Sequence, residues 1–374
     1  MVVYVIENYS SSGETSGIAR YNNLLFNALK ASGIPFKFVT ACYKPQILFD
    51  SEVIFISKEK ISNLTFWIKL FFFAFTIRKK SALLHLHHPY MVLPFLLLPN
   101  KKIRILTLHD IQLLNFKRNH NRIFFQIYKM VFYFTLRRYS LLLSDNKNLS
   151  NYFKELINLK RQSIYTLPVP VDLNIFYPMD KKEQKIKLGF PKEQKIILFA
   201  GRFVRQKNPK LAIDVFRKVI AKYKNCILLM LGSGDQEDEM RNLIKTYSVD
   251  NVFIKHDVPQ NEMVYYYNAA DVLIVTSFNE GGPLVVKEAL ACNLPVISTD
   301  VGDVKSVIQG MPYCYISSGD PDDFAEKIIY VLEEFHPTDY HSSMIKYSAD
   351  IFYEKITEIY NGLIRKYSND KNKQ

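Results

Sequence analysis

Short apolar runs alternate with amphipathic stretches along the chain. DVLIVTS (residues 271–277) is an apolar, β-rich run, and KIILFA (residues 195–200) reads as a buried strand. After the second of these runs, Leu211, Val215 and Phe216 recur at helical spacing and predict a helix that packs on a sheet. Both halves show the same alternation, which favours parallel, doubly wound sheets. Because 374 residues exceed what one core usually supports, we predict an α/β protein of two domains.

A glycine turn separates the run at 271–277 from the next predicted helix. Gly281 and Gly282 break the apolar run, and Pro283 fits the first helical turn. LVVKEALA, which begins at Leu284, then has a helical pattern. Amide groups at the start of a helix point outward toward an anion, so the turn is a candidate diphosphate site.

Two carboxylates flank the start of this predicted helix. Glu280 lies just before the turn, and Glu288 lies one to two helical turns further along the chain. The pair can accept hydroxyl groups from opposite ends of one elongated ligand, such as the sugar and the ribose of a nucleotide sugar. A capped helix with two solvated glutamates is the alternative that this pattern leaves open.

Two cations follow the strand at 195–200. The strand ends at Gly201, and Arg202 and Lys207 lie in the loop that precedes the next helix. Ligands of open α/β sheets bind at the carboxyl ends of the strands, where this loop is expected. Arg offers a planar fork to phosphate oxygens and Lys a mobile point charge, which together suit a departing diphosphate. A merely solvated cationic loop is the alternative.

The combination of these segments is more specific than either one. GRFVRQKN, followed downstream by NEGGPLVVKEALACNLPVIST, closely resembles the donor-binding half of retaining glycosyltransferase family 4. The resemblance implies the GT-B architecture, in which two Rossmann-like, doubly wound parallel-sheet domains face each other across a cleft. It places an acceptor-binding domain at residues 1–172, a donor-binding domain at 173–350, and a C-terminal helix at 351–374 that packs back toward the first domain.

The resemblance also implies roles for particular side chains. Arg202 and Lys207 would bind the donor diphosphate, Glu280 would contact the transferred sugar, and Glu288 would contact the ribose. RILTLHD (residues 104–110) ends in His109-Asp110 and is similar to the strand-end pair that faces the sugar, and SGIARY resembles the family's glycine loop. The expected catalytic residues are Arg202, Lys207, Glu280 and His109. The expected donor-binding residues are Gly17, Gly201, Gly281, Gly282, Pro283, Leu284 and Glu288.

Charge is distributed unevenly between the two halves. Residues 1–170 contain 23 Lys and Arg against 8 Asp and Glu, a net charge of +15, whereas residues 171–374 contain 26 against 28, a net charge of −2. Residues 65–80 and 117–139 interleave aromatic and basic residues, a composition typical of helices at an anionic lipid surface. Neither segment is apolar enough to span a bilayer, so we expect a peripheral protein. Core helices with snorkelling basic ends are the alternative.

Metal and redox chemistry find little support in the sequence. In ALLHLHHPY, strand alternation places His85 and His87 on one face and His88 on the other, without a nearby Cys or acidic partner. We therefore expect packed or cleft-lining histidines and no metal site. The cysteines have no paired or metal-like spacing, which favours a reducing cytosol. They are Cys42, Cys226, Cys292 and Cys314.

Other function classes are disfavoured by missing motifs. Gly232 and Gly234 lack the third glycine of a dinucleotide fingerprint, and the P-loop lysine motif does not occur. No nucleic-acid motif accompanies the basic half, so we expect neither a cofactor nor a nucleic-acid partner. MVVYVIENYS lacks the basic start and cleavable apolar segment of a secretion signal, which predicts a cytoplasmic protein at the inner face of the cytoplasmic membrane.

These observations favour a metal-independent hexosyltransferase, and the family resemblance implies that it is a retaining one. Its donor would be a UDP- or GDP-sugar, and its acceptor a cell-surface glycan or a lipid-linked precursor, as in lipopolysaccharide or capsule. Two other interpretations remain open. One is an epimerase or hydrolase of nucleotide sugars with the same fold, and the other is a non-catalytic, membrane-associated partner in glycan assembly.

Overall fold

The chain forms two compact units in a computed structural model. The structure describes residues 2–7, 17–41, 53–57, 63–77, 82–96, 103–109, 122–157 and 163–372. Asp110 and Cys42 lie outside these residues. Unit 1 comprises Met1–Val169 and Asp350–Gln374, and unit 2 comprises Pro170–Ala349. The assignment of acceptor and donor binding to separate domains stays a prediction.

Unit 1 contains a sheet of seven described strands, all paired in parallel. They are β1 (Val2–Glu7), β2 (Phe36–Ala41), β3 (Val53–Ser57), β4 (Ala82–Leu86), β5 (Ile103–Leu108), β6 (Leu141–Ser144) and β7 (Ser163–Thr166). The strand order is β3-β2-β1-β4-β5-β6-β7. The direction of winding therefore reverses between β1 and β4, the position where ligands enter doubly wound sheets.

The helices of unit 1 cover both faces of this sheet. They are α1 (Gly17–Ser32), α2 (Asn63–Thr76), α3 (Arg122–Leu136), α4 (Lys147–Ile157) and the C-terminal helix Ala349–Asn372. A 3₁₀ segment spans Pro89–Phe95. On one face, Leu84 and Leu106 pack in a core with Phe66 of α2 and Phe132 of α3. Alternation along β4 turns His85 to the opposite face, so that face carries polar groups inside a buried layer.

Unit 2 contains a second parallel sheet, of six strands. They are β8 (Lys195–Ala200), β9 (Cys226–Leu231), β10 (Val252–Lys255), β11 (Val272–Val275), β12 (Val296–Thr299) and β13 (Tyr315–Ser317). The order is β10-β9-β8-β11-β12-β13, so winding reverses between β8 and β11. This order repeats that of β3-β2-β1-β4-β5-β6 in unit 1, which has β7 as an additional edge strand.

Helices pack on both faces of the second sheet. They are α5 (Lys181–Lys187), α6 (Pro209–Lys222), α7 (Glu237–Tyr247), α8 (Met263–Ala269), α9 (Leu284–Ala291), α10 (Val304–Ile308), α11 (Pro321–Glu334) and α12 (His341–Met344). The last helix of the chain, α13 (Ala349–Asn372), belongs almost entirely to unit 1. Ile196 and Leu198 belong to one core, whereas Ile197 and Phe199 belong to the other, together with Phe216 of α6. Alternate residues of β8 are thus buried on opposite faces, and the prediction of two doubly wound parallel sheets is confirmed.

The loops after β8 and β9 approach each other closely. Gly232 directly follows β9 with φ of 150°, and a Cβ atom there would lie 2.0 Å from the carbonyl oxygen of Gly201. The Gly201 amide donates to Leu231 and the Phe203 amide donates to Ser233. This glycine therefore sets the position of the loop that carries the predicted cations.

We expect Gly232→Ala to lower the free energy of unfolding by about 2–5 kcal/mol, because the new Cβ adds a steric clash to backbone strain. Gly310→Ala is the matched control, since Gly310 also has a positive φ of 78° but has no atom within 4 Å of its Cβ position. The control should lose only about 1–2 kcal/mol. Urea unfolding of the three proteins measures both values, and equal losses would contradict the steric role.

Candidate functional site

The predicted donor residues of unit 2 meet where the winding of its sheet reverses. Arg202 and Lys207 lie in the loop after β8, and Glu280 lies in the loop after β11. β8 and β11 are hydrogen-bonded neighbours, and Ile274 pairs with Phe199. Because the strands are parallel, their carboxyl ends lie at one edge of the sheet and present both loops on the same side.

In the loop after β8, the Arg202 side chain is exposed, whereas contacts fix the position of Lys207. The Arg202 side chain is exposed and makes no hydrogen bond or ion pair to the described part of the chain, whereas the next side chain, Phe203, is fully buried and anchors the loop. The Lys207 amide donates to Val204, which closes a turn, and the stem of Lys207 lies over Gly201. The two cations therefore differ in freedom, and Lys207, which was expected to be the mobile charge, is the one that is held.

Lys207 forms an ion pair with Glu280. Its ammonium group bonds to Oε1 of the carboxylate, and Ser277 Oγ donates to the same oxygen at 2.7 Å. The side chains of Lys207 and Glu280 are 21% and 10% exposed. Both bonds to the described part of the chain use Oε1, so Oε2 remains for a hydroxyl group of a ligand.

Hydrogen bonds fasten the two loops to each other. The Phe278 amide donates to the Gln206 carbonyl at 2.9 Å, and the Gln206 side chain donates to the Asn279 carbonyl at 2.9 Å. Thr276 Oγ1 bonds to the carbonyl oxygens of Lys207 and Asn208. The ion pair thus lies on a cross-linked backbone, which limits the reorganisation needed when a ligand binds.

The glycine turn leads into α9, which begins at Leu284. Pro283 has ψ of 109° and precedes the helix, so its predicted place in the first turn is wrong by one residue. The Val286 amide donates to the Pro283 carbonyl at 3.1 Å. The amides of Leu284 and Val285 remain as the outward-pointing donors that an anion can bind.

A buried ion pair between Lys287 and Asp303 lies next to the glycine turn. Lys287 Nζ lies 2.9 Å from Asp303 Oδ2, and the Lys287 side chain is fully buried. A Cβ atom on Gly282 would lie 3.3 Å from Asp303 Oδ1, and one on Gly302 would lie 2.5 Å from the Gly281 carbonyl oxygen. The two glycines therefore allow the loop after β12 to pack closely against the turn.

Glu288 lies inside α9 and is 2% exposed. Its Oε2 accepts a 2.7 Å hydrogen bond from the hydroxyl of Tyr267, which is itself fully buried. The carboxylate is therefore fixed in orientation, and its contact with a ribose stays a prediction.

The remaining predicted residues, Gly17 and His109, belong to unit 1. Gly17 is the first residue of α1. His109 follows β5, and its side chain is 9% exposed. Its Nδ1 lies 2.9 Å from Asp145 Oδ2, and its Nε2 lies 3.0 Å from His87 Nδ1.

Comparison with known proteins identifies the family of unit 2. Residues 180–350 match the family described as Glycosyl transferases group 1. This segment, a little under half of the chain, belongs to the glycosyl transferases group 1 family.

Curated relatives match the chain over only part of their length. D-inositol 3-phosphate glycosyltransferase of Arthrobacter sp. (strain FB24) is 32% identical over 147 residues, which are 38% of this chain and 35% of the relative. The protein of the same name from Mycolicibacterium smegmatis is 31% identical over 183 residues, which are 47% and 41% of the two chains. The chain thus spans less than half the length of these relatives.

Solved structures resemble the chain over nearly its whole length. Sucrose-phosphate synthase from Thermosynechococcus elongatus is 19% identical with a TM-score of 0.81, covering 98% of this chain and 99% of that one. HepE of Anabaena, in complex with UDP and glucose, is 14% identical with a TM-score of 0.76, covering 96% and 99%. At these identities the likeness shows the GT-B-like fold.

The sequence analysis does not predict several polar residues that contact the candidate site residues. Ser277 is the last residue of the predicted strand at 271–277, so its strand-end position is a usable signal. Asp145 likewise follows the apolar run LLLS. Tyr267 and the Lys287–Asp303 pair have no comparable signal, because their partners lie on elements distant in sequence.

We expect Lys287→Met to lower the free energy of unfolding by about 3–5 kcal/mol, because it leaves the Asp303 carboxylate buried without its partner. Lys218→Met is the control, since the Lys218–Asp322 pair is 40% and 64% exposed and should cost less than about 1 kcal/mol. Chemical denaturation of both variants measures the difference. Equal losses in the two variants would show that the buried pair does not support the turn.

Proposed function

We propose that the protein is a retaining glycosyltransferase that moves a hexose or related sugar from a nucleotide-diphosphate sugar to a cell-surface glycan or a lipid-linked acceptor. The observation that supports this most is the Lys207–Glu280 pair beside the exposed Arg202, at the reversal point of a sheet in a segment of the group 1 family. It combines groups for an anion with a group for a hydroxyl.

The proposed role of the cations follows from where charge develops. Cleavage of the bond between the anomeric carbon and the diphosphate leaves positive charge on the sugar and negative charge on the leaving group. Arg202, Lys207 and the amides of Leu284 and Val285 stabilise the departing diphosphate, and this stabilisation grows as negative charge develops toward the transition state. These cations take the part of a divalent ion, so the scheme requires no metal.

The proposed role of Glu280 is to orient the transferred sugar. Lys207 and Ser277 hold its Oε1, which leaves Oε2 to accept a sugar hydroxyl. In the retaining reaction, the acceptor hydroxyl enters on the face from which the diphosphate departs. The diphosphate takes the proton of that hydroxyl, so Glu280 does not act as a nucleophile.

The comparisons favour UDP-sugars as the first donors to test. Among the similar structures are HepE of Anabaena in complex with UDP-glucose and the pneumococcal O-GlcNAc transferase GtfA in complex with UDP and GlcNAc. For the acceptor, the relatives named D-inositol 3-phosphate glycosyltransferase and the net charge of +15 over residues 1–170 both favour a molecule that carries negative charge, such as a phosphate-linked lipid precursor.

We expect one nucleotide sugar from a panel of UDP- and GDP-sugars to raise the melting temperature of the purified protein in EDTA, because a ligand that binds only the folded state stabilises it. Arg202→Ala and Lys207→Ala should abolish this shift. In turnover with that donor, Lys207→Ala should lower kcat roughly 10²–10³-fold.

Arg217→Ala is the matched control, because Arg217 is an exposed arginine of α6 that stacks on Tyr247. It should keep the shift. No shift with any donor would count against a donor site and favour the non-catalytic interpretation. Release of nucleotide at full rate without an acceptor would instead favour a hydrolase.

We also propose that unit 1 binds an anionic membrane surface at the inner face of the cytoplasmic membrane. In α3, the exposed Ile123, Ile127, Met130 and Phe134 recur at helical spacing and form one apolar stripe. α2 exposes Ile68, Phe71, Phe72 and Phe75 in the same way. Both helices pack against the 3₁₀ segment Pro89–Phe95.

Basic side chains accompany both stripes. Lys69 of α2 is exposed, as are Arg137 and Arg138 directly after α3. Apolar groups that enter the acyl boundary while cations remain among anionic headgroups favour a lipid surface over a neutral protein partner. None of the helices in the described ranges is both long and apolar enough to cross a membrane.

We expect the protein to sediment with vesicles of phosphatidylcholine and phosphatidylglycerol, and to bind them at least roughly tenfold less when Phe72 and Met130 are both replaced by Glu, since each loses burial of a large apolar side chain. Ile186→Glu is the control, because Ile186 is 52% exposed in unit 2. Equal binding by the double variant and the control, or no binding by the unchanged protein, would refute the membrane proposal.

A further inference from the structure

Three polar side chains converge at the carboxyl edge of the sheet in unit 1. His87 follows β4, His109 follows β5, and Asp145 follows β6. These strands are hydrogen-bonded neighbours, so their ends lie side by side next to the point where the winding reverses. The family resemblance assigns a role to His109, and it assigns none to His87 or Asp145.

The three side chains form one hydrogen-bonded chain. Asp145 Oδ2 lies 2.9 Å from His109 Nδ1, and His109 Nε2 lies 3.0 Å from His87 Nδ1. His87 and Asp145 are 6% and 3% exposed. The ring of Tyr21 meets both imidazoles edge-on, which restricts their rotation. Both ring nitrogens of His109 are therefore already engaged.

The direction of these bonds follows from the carboxylate. An ionised Asp145 only accepts, so Nδ1 of His109 carries a hydrogen. In a neutral His109, Nε2 is then an acceptor, and His87 must donate from its own Nδ1. This leaves a lone pair at Nε2 of His87, which is buried and has no hydrogen-bond partner in the described part of the chain. A buried acceptor without a hydrogen-bond partner costs free energy, so we expect His87 Nε2 to bind a ligand or a water molecule.

The neighbouring His85 provides an internal contrast. Its Nδ1 lies 2.6 Å from the hydroxyl of Tyr360, and its Nε2 lies 2.6 Å from Thr107 Oγ1. Both ring nitrogens of His85 are satisfied within the fold, so it serves packing. His87 stacks on His85, but its Nε2 has no hydrogen-bond partner among the described residues.

Two other roles for the cluster fit less well. A metal would need converging ligands, and the described residues include no group of three His, Cys, Asp or Glu side chains that could hold one. A general base would need an imidazole that accepts protons near neutral pH. Burial, and then the proximity of His85 and His109, holds the pKa of His87 well below its usual value. The remaining role for His87 is that of a neutral hydrogen-bond acceptor.

We propose that Asp145 and His109 are positioning residues that orient His87, and that His87 Nε2 accepts a hydrogen bond from a hydroxyl group of a carbohydrate ligand. This rests on the proposed function, because glycosyl transfer supplies ligands rich in hydroxyl groups. The hydroxyl belongs either to the transferred sugar or to the acceptor. In both cases His87, and not His109, makes the contact.

The first test reads the tautomers in the full-length protein labelled with ¹⁵N-histidine. Long-range ¹H–¹⁵N spectra should show both His87 and His109 with the hydrogen on Nδ1, the form that free histidine disfavours. Asp145→Asn should shift His109 toward the other tautomer, as loss of the carboxylate does in a serine protease triad. A hydrogen on Nε2 of His87 in the unchanged protein would overturn the relay, whatever the activity.

The second test separates the ligand contact from the relay. His87→Asn keeps a donor near the position of Nδ1 but removes Nε2, so kcat/KM should fall roughly tenfold while His109 keeps its tautomer. His87→Gln places an amide near the position of Nε2 and should recover part of this loss. Tyr360→Phe is the control, because it removes a buried hydroxyl from His85 and leaves the relay intact.

The outcomes distinguish the sources of the hydroxyl. Weaker binding of UDP-glucose but unchanged binding of UDP by His87→Asn would assign the hydroxyl to the transferred sugar. Unchanged donor binding with a raised acceptor KM would assign it to the acceptor. An unchanged kcat/KM in His87→Asn would overturn the inference alone. A wild-type protein that binds no nucleotide sugar would overturn the proposed function, and with it the ligand contact, while the tautomers still report on the relay.

Discussion

Parallel pairing is the constraint on which the rest of the molecule depends. Parallel strands all end at one edge of a sheet, and the chain returns over its faces through helices that bury both sides. The loops diverge only where the winding reverses, between β1 and β4 in unit 1 and between β8 and β11 in unit 2. Each sheet therefore offers one crevice for polar groups, and the candidate functional residues follow strands that border or adjoin it.

Electrostatics at the crevice of unit 2 depend on partial burial. In water, the attraction between Lys207 and Glu280 would be weak, but their low exposure and the cross-linked loops keep the two charges close in a medium less polar than water. The Arg202 side chain remains exposed. The arrangement combines a fixed charge pair with a free cation, so a diphosphate can be clamped without a large rearrangement of backbone.

Local sequence is enough to place Arg202, Lys207 and Glu280, because each lies in a loop that directly follows an apolar run. It also predicts both sheets, since buried strands and amphipathic helices have distinct periodicities. It does not predict that Tyr267 would meet Glu288, since that contact depends on how two helices pack. The helical pattern that begins at Leu284 matches the start of α9, but the place of Pro283 just before the helix depends on its ψ, which the residue type leaves open.

The two crevices differ in the chemistry that they can recognise. In unit 2, cations and helix amides select an anion, while a carboxylate selects a hydroxyl. In unit 1, a buried chain of hydrogen-bonded side chains ends at His87 Nε2, the acceptor atom in our proposal, and the ring of Tyr21 packs edge-on against that imidazole. Such a group contributes little to the binding of a phosphate but discriminates strongly between ligands with and without a hydroxyl at one position, because a buried acceptor left unpaired is costly. The two sheets thus offer different groups to a ligand, charged ones in unit 2 and uncharged ones in unit 1.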